Sequence, residues 1–195
     1  MRLILQKEER DIKLYCALRG NRGGSEAVYS LLEYAYRNEY GGALPEIKKT
    51  PNGKPFFPTE PQIHFSLSHA RVFVLCAVSD RPVGVDIESP RNISAGAVAY
   101  FCSREERVLF DPLELWVLKE SYIKLTDLTL PAIKHLRFSR EGSRIVAPSD
   151  NAMVKIFRFS EYANGKADSI TKGSVAAVST FGGAIPDRIE FVQNT

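Results

Sequence analysis

Four ionisable residues in two short stretches could carry chemistry in this chain. In Val83-Gly84-Val85-Asp86-Ile87-Glu88 apolar and polar residues alternate, the period of a strand, so Asp86 and Glu88 share one strand face. Two carboxylates on one face repel unless a cation sits between them. In Trp116-Val117-Leu118-Lys119-Glu120-Ser121-Tyr122-Ile123-Lys124, helical spacing puts Trp116, Glu120 and Lys124 on one face, one turn apart. Asp86, Glu88 and Glu120 together would make an all-oxygen set suited to magnesium. The Glu120–Lys124 spacing also describes an ordinary solvated ion pair, worth about 0.2–0.5 kcal/mol. The two stretches by themselves support a divalent-metal site and leave the reaction open.

Several elements must position these residues. Strands are expected at Arg2–Gln6 and Asp11–Leu18, followed by a loop through Arg19-Gly20-Asn21-Arg22-Gly23-Gly24. A helix is expected next, with Ser25 as N-cap, Glu26 in the first turn and Val28, Leu31, Leu32 and Tyr36 buried; Tyr40-Gly41-Gly42 ends it. Arg19 and Arg22 beside that N-terminus would either favour an anion or be two solvated loop arginines. Thr50–Pro55 reads as a turn, and Ile63–Leu67 and Val72–Val78 as strands joined through Ser68-His69-Ala70-Arg71. A short helix is expected at Ser94–Tyr100. Ser103 and Glu106 have capping-box spacing, and Asp111-Pro112 should open the helix that runs to about Thr126. Short strands follow at Leu136–Phe138, Ile145–Ala147, Val154–Phe159, Ser174–Ser179 and Arg188–Val192, with turns at Glu141-Gly142-Ser143 and Asn164-Gly165-Lys166.

Composition narrows the class. The chain of 195 residues is 44% hydrophobic and 25% charged, ordinary values for a globular protein of one large domain or two small lobes. The net charge of +3 is not gathered into a block, which argues against nucleic acid as a partner. Cys16, Cys76 and Cys102 form no Cys-x-x-Cys pair, so buried free thiols and a reducing, cytoplasmic setting are expected. The first ten residues turn charged too soon for a signal peptide, and no apolar run approaches the roughly 20 residues of a membrane span.

Five short motifs in order resemble the 4′-phosphopantetheinyl transferases of the surfactin-synthetase (Sfp) type. They are Gly53-Lys54-Pro55, Phe65-Ser66-Leu67-Ser68-His69, Val83–Glu88, Phe101-Cys102-Ser103-Arg104-Glu105-Glu106 and Trp116–Lys124. The resemblance implies an α+β pseudo-dimer of two similar lobes, each a helix packed on a mainly antiparallel sheet. The lobes are expected at 1–88 and 89–195, with the active site in the cleft between them. It also implies a Mg²⁺-dependent transfer of 4′-phosphopantetheine from coenzyme A to a serine of an apo acyl or peptidyl carrier protein, releasing 3′,5′-ADP. Asp86, Glu88 and Glu120 would hold the metal, and Glu120 and Lys124 would be catalytic. Lys54, Pro55, Ser68, His69, Asp86 and Lys124 would bind the coenzyme. A monomer is expected, because one chain supplies both lobes. The sequence departs from the family where its basic N-terminal segment is trimmed. It departs again after Lys124, where Leu125–Pro131 replaces a Gly-rich turn. Two rivals are a coenzyme A or carrier-protein binding module without catalysis and a Mg²⁺-dependent nuclease.

Overall fold

The computed structural model describes residues 11–159 and 173–193. The strand expected at Arg2–Gln6 and the turn at Asn164-Gly165-Lys166 lie outside them. The chain runs β1 (Lys13–Leu18), α1 (Gly24–Tyr40), the hairpin of β2 (Lys48–Lys49) and β3 (Pro55–Phe56), then β4 (His64–His69), β5 (Phe73–Ser79) and β6 (Val83–Glu88). It continues with α2 (Ala95–Phe101), α3 (Glu106–Leu109) and α4 (Pro112–Thr126). A 3₁₀ turn (Leu130–His135), β7 (Ser139–Glu141), β8 (Arg144–Val146), β9 (Ala152–Arg158), β10 (Val175–Phe181) and β11 (Glu190–Val192) complete it.

Period-2 patterning builds a mixed α+β stack. The first sheet has the order β11-β1-β5-β4, with β5 antiparallel to both β1 and β4 and β11 parallel to β1. Tyr15, Ala17, Val74, Cys76 and Val78 project to one face and pack on Leu31, Leu32 and Tyr36 of α1. Leu14, Cys16, Phe73, Leu75 and Ala77 project to the other, as strand alternation requires. That second face packs against Val83, Val85, Ile87, Phe157 and Val178 of the second sheet, whose antiparallel order is β6-β10-β9. The far face of the second sheet, including Val175 and Ala177, is covered by α4. The layers are therefore helix, sheet, sheet, helix.

Two features join the halves expected at 1–88 and 89–195. β6 pairs with β10, and β11 pairs with β1, so each of these two sheets contains strands from both halves. The edge of β6 away from β10 lies along β4. There the Ser66 hydroxyl accepts the Val85 N–H at 2.9 Å and the Ser68 hydroxyl accepts the Ile87 N–H at 3.3 Å. Two serine side chains thus satisfy buried backbone donors that a ladder would otherwise serve.

The local expectations fare unevenly. Asp111 accepts from the Leu113 and Glu114 N–H groups, Pro112 opens α4, and Ser94 caps α2. α1 starts two residues earlier than expected, after Gly23 rather than Ser25, with no side-chain cap, and ends at Gly41 with φ 76°. β4 runs through His69, leaving a tighter turn closed by the Ala70 N–H on the Phe73 carbonyl at 2.8 Å. Leu136–Phe138 is not a strand. Pro131 lies in the 3₁₀ turn just before it, and the Phe138 N–H is taken by Glu106 Oε1 at 2.9 Å rather than by a neighbouring strand. Cys16, Cys76 and Cys102 are buried free thiols. No helix among the described residues is long and apolar enough to cross a membrane.

Candidate active site

α4 is held at its C-terminal end by the hairpin of β2 and β3. Asp127 adopts the left-handed conformation (φ 54°) that ends a helix, a conformation open to Asp at modest strain. Its carboxylate accepts from Thr50 Oγ1 at 3.0 Å, and its carbonyl accepts from Asn52 Nδ2 at 2.7 Å. Lys54 Nζ donates to the Leu125 carbonyl at 3.0 Å. Carbonyls left over at the helix end are thereby satisfied by side chains far away in sequence. The Asp127 cap lies in the Leu125–Pro131 segment, where the sequence departs from a Gly-rich turn.

Gly84 decides how close α4 comes to β6. A Cβ there would lie 2.0 Å from the Ser121 carbonyl oxygen and 2.4 Å from the Leu125 nitrogen, so no side chain fits between strand and helix. This close approach sets Asp86, two residues along the same face, against Lys124, with Nζ to Oδ1 at 2.7 Å. Ser68 donates to the same oxygen at 2.7 Å. Asp86 is 6% exposed, and its Oδ2 is buried without a hydrogen-bond partner. Such an oxygen in a folded interior requires an explanation, an ion or water among them.

Glu120 faces the same region. Burial, then the neighbouring Asp86 carboxylate, pushes its pKa up to about 7; Lys124 opposes the rise and Glu88 adds to it. Asp86 and Glu88 are therefore close enough for Glu120 to feel their charge. They are not gathered into a ready-made centre, since among the described residues no group of three His, Cys, Asp or Glu side chains could already hold a metal ion. Lys124 occupies one oxygen of Asp86, and Arg91 holds Glu88 Oε1 at 3.1 Å. In kind, the donor set fits a hard divalent cation: three carboxylates, one with a free buried oxygen.

Beside Glu120 and Lys124 opens a cavity of about 320 Å³, walled by Gly53, Lys54 and Pro55 on one side and by Leu128 and Leu130 on another. Burial lowers the Lys54 pKa from its usual value, and Asp127 counters it. Ser68 and His69 are not part of this wall. His69 lies at the end of β4 with its ring against the first residue of α1, where a Cβ on Gly24 would come within 2.7 Å of Nδ1. The structure brings Lys54, Pro55, Glu120 and Lys124 around one cavity. Asp86 and Ser68 are hydrogen-bonded at its edge, and His69 stands apart beside the N-terminus of α1.

Lys119 and Arg91 went unassigned in the sequence. Lys119 Nζ is fully buried and donates to Glu106 Oε2 at 2.9 Å, to the Leu136 carbonyl at 2.9 Å and to the Phe101 carbonyl. Its signal was its place among Leu115, Leu118 and Tyr122, the i, i+3, i+4, i+7 apolar face of α4. Arg91 reaches Glu88 while its guanidinium lies 5.5 Å from the centre of the Trp116 ring; nothing in its sequence neighbourhood marked it.

No family model matches the chain. Individual curated proteins do. The chain is 41% identical over 85 residues to 4′-phosphopantetheinyl transferase psf-1 of Bacillus pumilus, covering 38% of this chain and 36% of that protein. It is 32% identical over 114 residues to 4′-phosphopantetheinyl transferase Sfp of Bacillus subtilis strain 168, covering 53% of this chain and 44% of that protein. It is 38% identical over 116 residues to 4′-phosphopantetheinyl transferase ffp of Bacillus subtilis, with the same two shares. The matches thus span less than half the length of these relatives. The chain is similar to several Sfp-type 4′-phosphopantetheinyl transferases, the resemblance that the five motifs carried.

Proposed function

We propose that this protein transfers 4′-phosphopantetheine from coenzyme A to a serine of an apo carrier protein, with Mg²⁺, releasing 3′,5′-ADP. The observation that carries this reading is the state of Asp86: one oxygen held by Lys124 and Ser68, the other buried and unpartnered, beside a glutamate pushed up to about 7. The similarity to named transferases supports the same reaction. In it the carrier's serine oxygen bonds to the pantetheine-side phosphorus while the P–O bond to the adenosine-side phosphate breaks. Glu120 takes the serine proton, directly or through a water. Lys124 holds negative charge that builds on the departing phosphate. Lys54 and Pro55 flank the coenzyme in the adjacent cavity, Ser68 keeps Asp86 in place, and His69 with the uncapped start of α1 offers donors to a further phosphate. Mg²⁺ held by Asp86, Glu88 and Glu120 would supply charge neutralisation of the pyrophosphate.

The reading takes residues 1–88 and 89–195 as two similar lobes with the site in the cleft between them, and the protein as a monomer acting in the cytoplasm. Neither nucleic acid nor membrane belongs to it. The test is to incubate the protein with Mg²⁺, coenzyme A and a panel of apo carrier proteins and to weigh the carriers by intact mass. Addition of one phosphopantetheine to a carrier, abolished by EDTA, is the expected result. Unmodified carriers throughout the panel, with coenzyme A bound, would point to a binding module.

A further inference from the structure

We propose that Arg91 is a stand-in cation for the metal. It neutralises Glu88 in the absence of metal and, when a divalent ion takes Glu88, gives up that carboxylate and rests on Trp116 alone. The inference rests on the reading of Asp86, Glu88 and Glu120 as metal-binding carboxylates and adds a residue to it. The acidic centre is balanced carboxylate by carboxylate. Lys124 takes Asp86 at 2.7 Å, and Arg91 takes Glu88 at 3.1 Å. Lys124 is anchored on α4, one turn beyond Glu120. Arg91 comes from the segment just after β6, bonds only three residues back, and is 45% exposed.

An exposed pair at this spacing is weak, so an ion binding Glu88 can break it. What gives the pair direction is its second contact. The guanidinium lies 5.5 Å from the Trp116 ring centre, and Trp116 is itself braced edge-on by Phe101 at 5.2 Å. A guanidinium over an indole face is held by cation–π attraction. Release from Glu88 therefore leaves Arg91 a place to stay, one helical turn before Glu120 on the same face of α4. Lysine could balance the charge but not stack as a planar group.

Trp116 is the single tryptophan of the chain, so its fluorescence reports on this contact directly. Mn²⁺ and Mg²⁺ are titrated into the wild type, Arg91→Gln, Arg91→Lys, Glu88→Gln and the double variant, following heat of binding and Trp116 emission in parallel. Arg91→Gln should bind the ion about two- to fivefold more tightly, the scale of an exposed ion pair. In the Glu88→Gln background, Arg91→Gln should bring no such gain, because the partner it competes for is gone. Emission should shift on metal binding in the wild type and should not shift in Arg91→Gln. Arg91→Lys should return the affinity toward wild type with a diminished emission change. An equal gain in the Glu88→Gln background would show mere long-range repulsion and overturn the proposal. Wild-type emission that ignores a binding event seen as heat would overturn it too, leaving the metal site itself standing. No heat with either ion in any variant would refute both the metal site and the role of Arg91.

Discussion

α4 carries two lysines five positions apart, each paired with a carboxylate from another element, and the two pairs are built to opposite ends. Lys119 and Glu106 form a closed set. The ammonium has three acceptors, and the carboxylate takes the Ser103 N–H at 2.9 Å and the Phe138 N–H at 2.9 Å as well as the lysine. Every partner is internal, so the pair has nothing left to offer a ligand. Lys124 and Asp86 form an open set, with one carboxylate oxygen unpartnered and the lysine 29% exposed beside a cavity. A buried ion pair is weak evidence of function when its bonds are complete. The incomplete pair is the one on which the proposed site rests.

The largest effect that would sharpen this contrast is on the open side. Glu120→Gln should lower carrier modification by about 10²–10⁴-fold, the usual loss of an acid–base group, with no loss of melting temperature. Intact-mass assays beside thermal melts check both halves of that statement. On the closed side the outcome should reverse. Lys119→Met strands Glu106 and two carbonyls in the interior and should destabilise the protein by about 3–5 kcal/mol, measured by urea unfolding. A Lys119→Met protein as stable as wild type but inactive would break the comparison.

Gly84→Ala tests whether the open pair depends on contact between strand and helix. A methyl group against the Ser121 carbonyl should cost about 1–3 kcal/mol or more and lower transfer by pulling Lys124 off Asp86. Normal transfer in a destabilised Gly84→Ala protein would show that the pairing tolerates displacement. The smallest effect is a pH slope. Burial, then the Asp86 carboxylate, pushes Glu120 from the usual 4.5 up to about 7 in the fold, so between those values the folded state binds the extra proton. Its contribution to stability is complete below 4.5 and is lost as pH rises through 7. Melting curves without divalent ion should fall over that window, and Glu120→Gln should flatten the slope. A slope unchanged in the variant assigns it to other groups.

Much of the site was legible because its signals are local. The alternation around Asp86, the spacing of Glu120 and Lys124, the cap at Asp111-Pro112 and the Ser103–Glu106 box each lie within one element, and the box forms with the Glu106 N–H on Ser103 Oγ at 3.2 Å. What was not legible is carried by contacts between distant segments. Lys119 looked like one more charged residue beside Glu120 until Glu106 closed on it. The hydroxyls of Ser66 and Ser68 lie on the face that meets β6, a role visible only once β6 lies along β4. Leu136 and Phe138 alternate as a strand would, yet the amide of Phe138 belongs to a carboxylate. The α1 start shifted because Gly23 can open a helix without a side-chain cap.

The pairing of early with late strands in each sheet governs when Asp86 and Lys124 can meet during synthesis. β6 leaves the ribosome long before β10, its ladder partner, and Thr180 Oγ1 closes on the Pro82 carbonyl across 98 residues. Contacts of such sequence separation form late and slowly. Until β10 emerges, β6 has serine hydroxyls on one side and no strand on the other, and α4 has no completed sheet on which to set Lys124. A nascent chain therefore sets Asp86 against Lys124 only once the second sheet is whole.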